Sequence, residues 1–128
     1  MDLGIKNKTA VITGGSQGLG LSIAKNFLKE GVKVIICSRS ILKINKLKKI
    51  FSNKNVKFVK SDLKLKKGRF KLMKFLQSNK IKPDILINNL GGDLNFKETL
   101  INYDKFEKVF NLNFGTAIEL NKLFVPIM

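Results

Sequence analysis

A glycine-rich turn near the start of the chain constrains its fold more than any other feature. The turn spans Thr13–Gly20 and reads TGGSQGLG. It lies between an apolar run at Thr9–Ile12 and a segment from Leu19 to Glu30 whose apolar residues recur at helical spacing. Such a turn joins a buried strand to a helix, and the N–H groups at the helix start bind a diphosphate. The sequence therefore predicts a strand–turn–helix unit that holds a nucleotide phosphate.

Two other interpretations of this turn can be weighed from the sequence. A P-loop needs Lys-Ser or Lys-Thr directly after its closing glycine, whereas Gly20 is followed by Leu21 and Ser22. Nucleoside triphosphate hydrolysis is therefore not expected. A glycine turn can also serve only a tight bend of the backbone. Its position after the first strand and before the first helix favours a dinucleotide site.

Short runs rich in Val and Ile alternate along the chain with helical segments, which is typical of a parallel sheet covered on both faces. The predicted strands are Thr9–Thr13, Val32–Cys37, Val56–Lys60 and Ile85–Asn88. The predicted helices are Gly18–Glu30, Ser40–Phe51, Leu65–Ser78 and a last one from Tyr103 to Phe124. On that last helix, helical spacing predicts a buried face of Phe106, Val109, Phe110, Ala117, Leu120 and Phe124, with Asn113 on the same stripe.

The composition excludes some classes of function. The net charge is +16, but only Arg39 and Arg69 are arginines and the lysines are spread over all predicted elements, so a nucleic-acid partner is not expected. No apolar run approaches the roughly 20 residues of a membrane span. The single cysteine, Cys37, cannot form an internal disulfide. We expect a cytoplasmic protein without a metal site.

The residues after the second strand bear on the choice of dinucleotide. A unit that prefers NAD usually places Asp or Glu there, to bind the ribose 2′-hydroxyl. This chain has Arg39 between Ser38 and Ser40, a set that suits a 2′-phosphate. The sequence therefore favours NADP(H) over NAD(H), although Arg39 could also be an ordinary loop cation.

Three motifs in this order resemble the short-chain dehydrogenase/reductase family: the turn at Thr13–Gly20, Asp62-Leu63 after strand three, and Asn88-Asn89-Leu90-Gly91 after strand four. The resemblance implies a Rossmann-like α/β fold with a doubly wound parallel sheet, here a single domain over residues 1–128 truncated after about four strands and four helices. It also implies a relay role for Asn113. With the interpretation of residues 38 and 39, the expected cofactor contacts are Thr13, Gly14, Ser16, Gln17, Gly18, Leu19, Gly20, Ser38, Arg39, Asp62, Leu63, Asn88, Asn89 and Gly91.

Each of these residues also has a structural interpretation. Asp62 could cap the following helix, Asn88 and Asn89 could be buried amides that hold loops together, and Gly91 could belong to a simple turn. Asn113 could likewise be only a hydrogen-bonding residue of its helix. The alanine that the family usually has within the third motif is Leu90 here, a change that we expect the site to tolerate.

The residues that the resembled family uses for proton transfer, a serine and a Tyr-x-x-x-Lys pair, are not found in the expected order. The one tyrosine, Tyr103, precedes Asn113 and is followed four positions later by Glu107. We therefore expect the cofactor-binding, N-terminal half of a carbonyl reductase or secondary alcohol dehydrogenase, with 3-oxoacyl thioesters as one substrate class. This half should have no turnover by itself and should form homo-oligomers through its last helix. The alternative is a non-catalytic nucleotide-binding or interaction module.

Overall fold

The centre of the protein is a parallel sheet, seen in a computed structural model that describes residues 2–52 and 55–128. Its four strands lie in the order β3-β2-β1-β4. They are β1 (Thr9–Thr13), β2 (Lys33–Ser38), β3 (Val56–Lys60) and β4 (Ile85–Ile87). The bounds lie within one residue of those expected from the sequence, and the predicted α/β class with a Rossmann-like parallel sheet is confirmed.

Helices cover both faces of the sheet, as the alternating sequence pattern predicts. They are α1 (Gly18–Lys29), α2 (Ile41–Ile50), α3 (Lys66–Ser78), α4 (Tyr103–Phe110) and α5 (Thr116–Phe124). On one face Ala10, Ile12 and Ile36 pack with α1 and α2. On the other face Val11 and Ile35 pack with α3 and α5. Successive strand residues point to opposite faces, so both sides of β1 and β2 are apolar and buried.

Local signals fix where the first helices begin and end. Gly31 follows α1 with φ +75°, and the N–H groups of Gly31 and Val32 bond to the carbonyls of Leu28 and Phe27. This is the Schellman arrangement, in which glycine adopts the left-handed conformation without strain. At the start of α2, the Ser40 hydroxyl accepts a hydrogen bond from the Lys43 N–H at 3.3 Å. Gly31 thus ends α1, and Ser40 begins α2.

The last helix differs from the prediction. Its path runs through α4, a π-helical turn at Asn111–Gly115 and α5, followed by one 3₁₀ turn at Val125–Ile127. The expected buried face is wrong in its first half, because the side chains of Phe106 and Phe110 are 52% and 46% exposed. None of the residues of α4 is buried.

Burial in this region begins within the π-helical turn. The buried residues follow each other at intervals of four and are Leu112, Thr116, Leu120 and Phe124. Leu120 and Phe124 pack on the sheet face of α3, whereas that core cluster includes no residue of α4. The π turn shifts the helical phase, so a stripe drawn with one constant period connects residues that face different surroundings.

No helix in the described ranges, 2–52 and 55–128, has both the length and the apolar character needed to cross a membrane.

Candidate functional site

A cleft of about 480 Å³ opens at the carboxyl ends of the strands, beside the start of α1. From β1 the chain proceeds to β2 and β3 on one side, and it then returns to place β4 on the other side of β1. The order of the strands therefore reverses between β1 and β4, the position at which open α/β sheets bind their ligands. Most of the predicted cofactor residues line this cleft: Gly14, Ser16, Gln17, Gly18, Leu19, Ser38, Arg39, Asp62, Leu63, Asn89 and Gly91.

The glycine turn needs its glycines for two physical reasons. Gly14 and Gly18 have φ values of +63° and +53°, in the left-handed region that other residues rarely adopt. Gly20 is needed for space instead, because a Cβ there would lie 2.4 Å from Asn89 Nδ2 and 2.8 Å from the carbonyl oxygen of Gly14. Gly20 is buried beneath the turn and is not among the cleft-lining residues.

The start of α1 faces the cleft without a side-chain cap. Its N-cap residue, Gln17, makes no side-chain hydrogen bond to the first helical turn, whereas Ser40 caps α2 and Asn102 caps α4. The first N–H groups of a helix have no partners within the helix, and they carry the positive end of its dipole. The α1 start can therefore accept an anionic group from the cleft.

The end of β2 is connected to the glycine turn by side chains. The Ser38 hydroxyl donates to Ser16 Oγ at 2.9 Å and accepts from the Ser40 N–H at 3.2 Å. Lys43, one turn into α2, donates from Nζ to Gln17 Oε1. Arg39 is exposed at the cleft and forms no ion pair with any other described residue. Positive charge thus lies at this end of the cleft.

Hydrogen bonds within the loop and from Arg69 on α3 hold the loop after β3 in place. Asp62 accepts from the Lys64 N–H at 3.1 Å and does not cap α3, whose N-cap residue is Leu65. The capping interpretation of Asp62 is therefore wrong. Arg69, whose side chain is 12% exposed, donates from one guanidinium nitrogen to the carbonyls of Leu63 at 3.0 Å and Lys64 at 2.9 Å.

Thr13, one of the predicted cofactor residues, lies under the cleft and not along it. Its buried hydroxyl donates to the Ile87 carbonyl at 3.2 Å and accepts from the N–H groups of Asn89 and Leu90, both at 3.0 Å. The Asn89 amide in turn donates to the carbonyls of Thr13 and Gly14, both at 3.2 Å. These bonds position the residues after β4 against the glycine turn.

Asn88 points away from the cleft. Its side chain donates to Asn121 Oδ1 on α5 at 2.9 Å, so its observed contact is with the last helix. The contact is structural, but Asn88 is exposed and is therefore not the buried amide of the alternative interpretation. Leu90 lines the cleft and also packs against the core on the α3 and α5 face.

Asn113 lies in the π-helical turn and forms hydrogen bonds to Gly92, in the loop after β4. Its Nδ2 donates to the carbonyls of Gly92 at 2.7 Å and Val109 at 2.8 Å, and its Oδ1 accepts from the Gly92 N–H at 3.0 Å. A Cβ on Gly91 would lie 2.4 Å from that oxygen, so the contact requires glycine there. Asn113 is exposed and does not sit on a buried stripe, which corrects that expectation.

Neither the lone tyrosine nor the lone cysteine is placed for acid–base chemistry. Tyr103 is 73% exposed at the start of α4 and is not among the cleft-lining residues. Burial raises the pKa of the Cys37 thiol to about 12, although Lys71 partly opposes this shift. Within residues 2–52 and 55–128, no group of three or more His, Cys, Asp or Glu residues could hold a metal ion.

The chain matches the short chain dehydrogenase family over residues 8–128. It belongs to the short-chain dehydrogenase family. The 7alpha-hydroxysteroid dehydrogenase of Bacteroides fragilis is 32% identical over 131 aligned positions, which cover 96% of this chain and 49% of that enzyme. The chain therefore spans about half the length of such relatives.

Solved structures of short-chain dehydrogenases have the same fold. The L-sorbose reductase of Gluconobacter frateurii, complexed with NADPH and L-sorbose, is 32% identical and has a TM-score of 0.85 over all of this chain and 50% of that one. Pseudomonas aeruginosa RhlG, in an active-site complex with NADP, is 26% identical and has a TM-score of 0.84 over 96% of this chain and 48% of that one. The family binds a nicotinamide dinucleotide.

Several residues that line the cleft of this family member were not predicted. They are Cys37, Lys43, Ser61, Lys64, Leu90, Gly92, Asp93, Leu94, Asn95 and Leu112. For Lys43 a signal existed, since a residue three positions after an N-cap serine lies in the first helical turn, close to Arg39. For the loop from Gly92 to Asn95 the sequence gives no comparable signal.

Proposed function

We propose that this chain is the NADP(H)-binding part of an oxidoreductase of the short-chain dehydrogenase family. The observation that carries the proposal is the cleft between β1 and β4, which combines the uncapped start of α1 with an Arg39 that forms no ion pair within the described part of the chain. When bound, the nicotinamide would supply hydride transfer to or from a small carbonyl or secondary alcohol substrate. The family assignment does not favour a non-catalytic module.

The residues of the cleft fit such a dinucleotide. Because Gly20 has no side chain, α1 can begin in close contact with the turn. The N–H groups near Gly18 and Leu19 are then available to a diphosphate. The Asp62 carboxylate lies at the same cleft and suits an adenine amino group, as the family resemblance implies. Asn89 and Thr13 would act from beneath by holding the turn and the β4 loop in register.

The preference for NADP(H) rests on the end of β2. Arg39 offers several N–H donors and a permanent charge, and Ser38 and Ser40 lie on either side of it. No acidic residue occupies the segment from Cys37 to Ser40, so a ribose 2′-hydroxyl would lack the carboxylate that NAD-preferring sites use. The two structural relatives that contain NADP or NADPH support this preference.

The test is a titration of the chain with NADPH and with NADH, followed by cofactor fluorescence. The unmodified chain should bind NADPH more tightly. Arg39→Asp should weaken NADPH binding at least about tenfold and bring the NADH affinity level with it or above it, because a charge-assisted bond is lost. Lys46→Asp makes the same change of charge at an exposed position on the outer side of α2. It therefore controls for the general attraction of anions to the chain.

An unchanged preference in Arg39→Asp would contradict the assignment of the 2′-phosphate site. Failure of the unmodified chain to bind either nucleotide would contradict the proposed function as a whole.

Catalysis by the whole protein is part of the same proposal. We infer that the full reaction needs a serine and a Tyr-x-x-x-Lys pair in addition to the residues described here, so the 128-residue chain alone should not oxidise NADPH with a carbonyl substrate. Asn113 positions the backbone of Gly92, and its participation in a proton relay remains a prediction. The buried free thiol of Cys37 agrees with a cytoplasmic location, which the proposal includes.

We further infer that the chain self-associates through its last helix. The rings of Phe106, Phe110 and Phe114 stack in sequence, with centroid distances of 6.0 and 5.4 Å, and all three side chains are exposed. A second copy that covers these rings would remove a contiguous apolar surface from water. Sedimentation velocity at micromolar concentration should show association that Phe110→Asp removes. Phe70→Asp, an exposed phenylalanine on α3, should not remove it.

A further inference from the structure

Two side chains, Lys43 on α2 and Gln17 in the glycine turn, meet across one end of the cleft. Lys43 on α2 reaches across to the glycine turn and donates from its ammonium group to Gln17 Oε1, a contact between residues 26 positions apart. Both residues line the cleft, and both are exposed to solvent. The contact joins the two walls between which the proposed 2′-phosphate site lies.

A hydrogen bond from its backbone N–H helps to hold Lys43 in this position. The Ser40 hydroxyl accepts the Lys43 N–H at 3.3 Å, and Ser38 bonds both to the Ser40 N–H and to Ser16. These bonds fix the first turn of α2 relative to the end of β2, where Arg39 lies. The charge of Lys43 is therefore directed to the same end of the cleft as that of Arg39.

No carboxylate among the described residues neutralises this pair of cations. The ion pairs there join Lys8 with Asp84, Arg69 with Glu119 and Lys105 with Glu98, and they include neither Arg39 nor Lys43. Within residues 2–52 and 55–128, the only side-chain partner of the ammonium group is the neutral amide of Gln17. A phosphate with about two negative charges is a stronger acceptor than an amide oxygen.

We propose that Lys43 is a second specificity-determining residue, which binds the 2′-phosphate of NADP(H) together with Arg39. This inference rests on the proposed function, because it assigns a residue within the same cofactor site. It goes further in naming a cation on α2, outside the loop in which the sequence predicts cofactor selectivity. Lys43 acts on the 2′-phosphate directly, and its action does not depend on its bond to Gln17.

The experiment compares nucleotides that differ only in the 2′-phosphate. Calorimetric titrations with NADPH and NADH, and with the fragments adenosine 2′,5′-bisphosphate and 5′-AMP, are made on the unmodified chain and on Lys43→Met. We expect Lys43→Met to weaken NADPH and the bisphosphate about tenfold, the usual effect of losing one bond to a charged group, and to leave NADH and AMP unchanged. Lys43→Arg, which keeps the charge, should retain most of the preference.

A control variant separates this effect from general electrostatics. Lys46→Met removes the same charge from an exposed position of α2 that does not line the cleft, and it should leave all four affinities unchanged. A thermal melt of each variant verifies the fold. In addition, the NADPH affinity of Lys43→Met should depend less steeply on salt than that of the unmodified chain.

A double-mutant cycle distinguishes direct binding from mere positioning of Gln17. If Lys43 acts on the phosphate, Lys43→Met should still reduce the preference for NADPH in a Gln17→Ala background. The inference is overturned if Lys43→Met weakens NADPH and NADH equally, if it changes neither, or if its effect disappears in that background. These outcomes leave the proposed function intact as long as the unmodified chain binds NADPH. A chain that binds neither nucleotide overturns both.

Discussion

The two flanks of β1 are built in different ways. Towards β2, five residue pairs from Thr9–Lys33 to Thr13–Cys37 are in register, and β2 is buried from Val34 onward. Towards β4, only three pairs are in register, and β4 is half-buried along its length. The β2 flank is held by apolar packing on both faces, which gives stability in proportion to the area removed from water.

The β4 flank is held by polar side chains at both of its ends. At the carboxyl end, Thr13 and Asn89 bond across the two strands. At the amino end, the Asp84 carboxylate accepts the Thr9 N–H at 2.8 Å, and the Asp84 N–H donates to the Thr9 carbonyl at 2.8 Å. Hydrogen bonds are directional, so they set the exact register of a strand that packing holds less tightly. The comparison indicates that polar contacts position the cleft and that burial stabilises the domain beside it.

The largest expected effect concerns the contribution of a buried side chain on the β4 side to the free energy of unfolding. Phe124 is fully buried against the sheet, whereas Phe110 is 46% exposed on the same helical path. Phe124→Ala should lower the free energy of unfolding by about 3–5 kcal/mol, because it leaves a cavity in the core. Urea unfolding followed by circular dichroism measures this change. Phe110→Ala is the matched control and should cost far less; equal losses would show that α4 is packed as tightly as α5.

The second prediction concerns the polar junction at the carboxyl end. Thr13→Val keeps the shape of the side chain but removes the hydroxyl that accepts two N–H groups. Buried donors without partners are costly, so we expect a loss of about 2–3 kcal/mol in the free energy of unfolding. Faster amide exchange at Asn89 and Leu90 should accompany it. Thr13→Ser retains the hydroxyl and should lose clearly less; if both variants behave alike, the hydroxyl does not hold this junction.

The smallest expected effect concerns the amino end and depends on pH. The N–H of Thr9, with the nearby charge of Lys8, lowers the pKa of the Asp84 carboxyl below its ordinary value of 3.8. A lowered pKa in the folded state means that the stabilisation is present above about pH 4 and is lost as the pH falls through the folded value. Asp84→Asn should therefore flatten the decline of the melting temperature on acidification. If the melting temperature of this variant fell on acidification as steeply as that of the unmodified chain, Asp84 would not link β4 to β1.

The regular part of the fold could be predicted from the sequence because its signals are local. Runs such as Val34–Cys37 can be buried only within a sheet, and Ser40 and Gly31 satisfy the ends of their helices without distant partners. The cleft followed from the same logic, since the turn after β1 and the loop after β4 must meet at one edge of a parallel sheet.

Features that depend on distant contacts could not be predicted in this way. Helical spacing placed Phe106 and Phe110 on a buried face, but the π turn changes the phase and no residue of α4 is buried. The motifs predict Thr13 and Asn88 as cofactor residues. Their observed side-chain contacts are with Ile87, Leu90 and Asn121, partners that no local pattern predicts.

The contact between Gly20 and Asn89 makes two distant positions interdependent. No atom can be added to Gly20 while Asn89 keeps its orientation, since the added carbon would lie 2.4 Å from the amide nitrogen. A larger residue at position 20 would thus need a smaller or displaced side chain at position 89, and also a shift of the Gly14 carbonyl oxygen, which would lie 2.8 Å from the added carbon. Transplanting the phosphate-binding segment into another α/β scaffold would, for the same reason, require that the loop following the fourth strand be transferred with it.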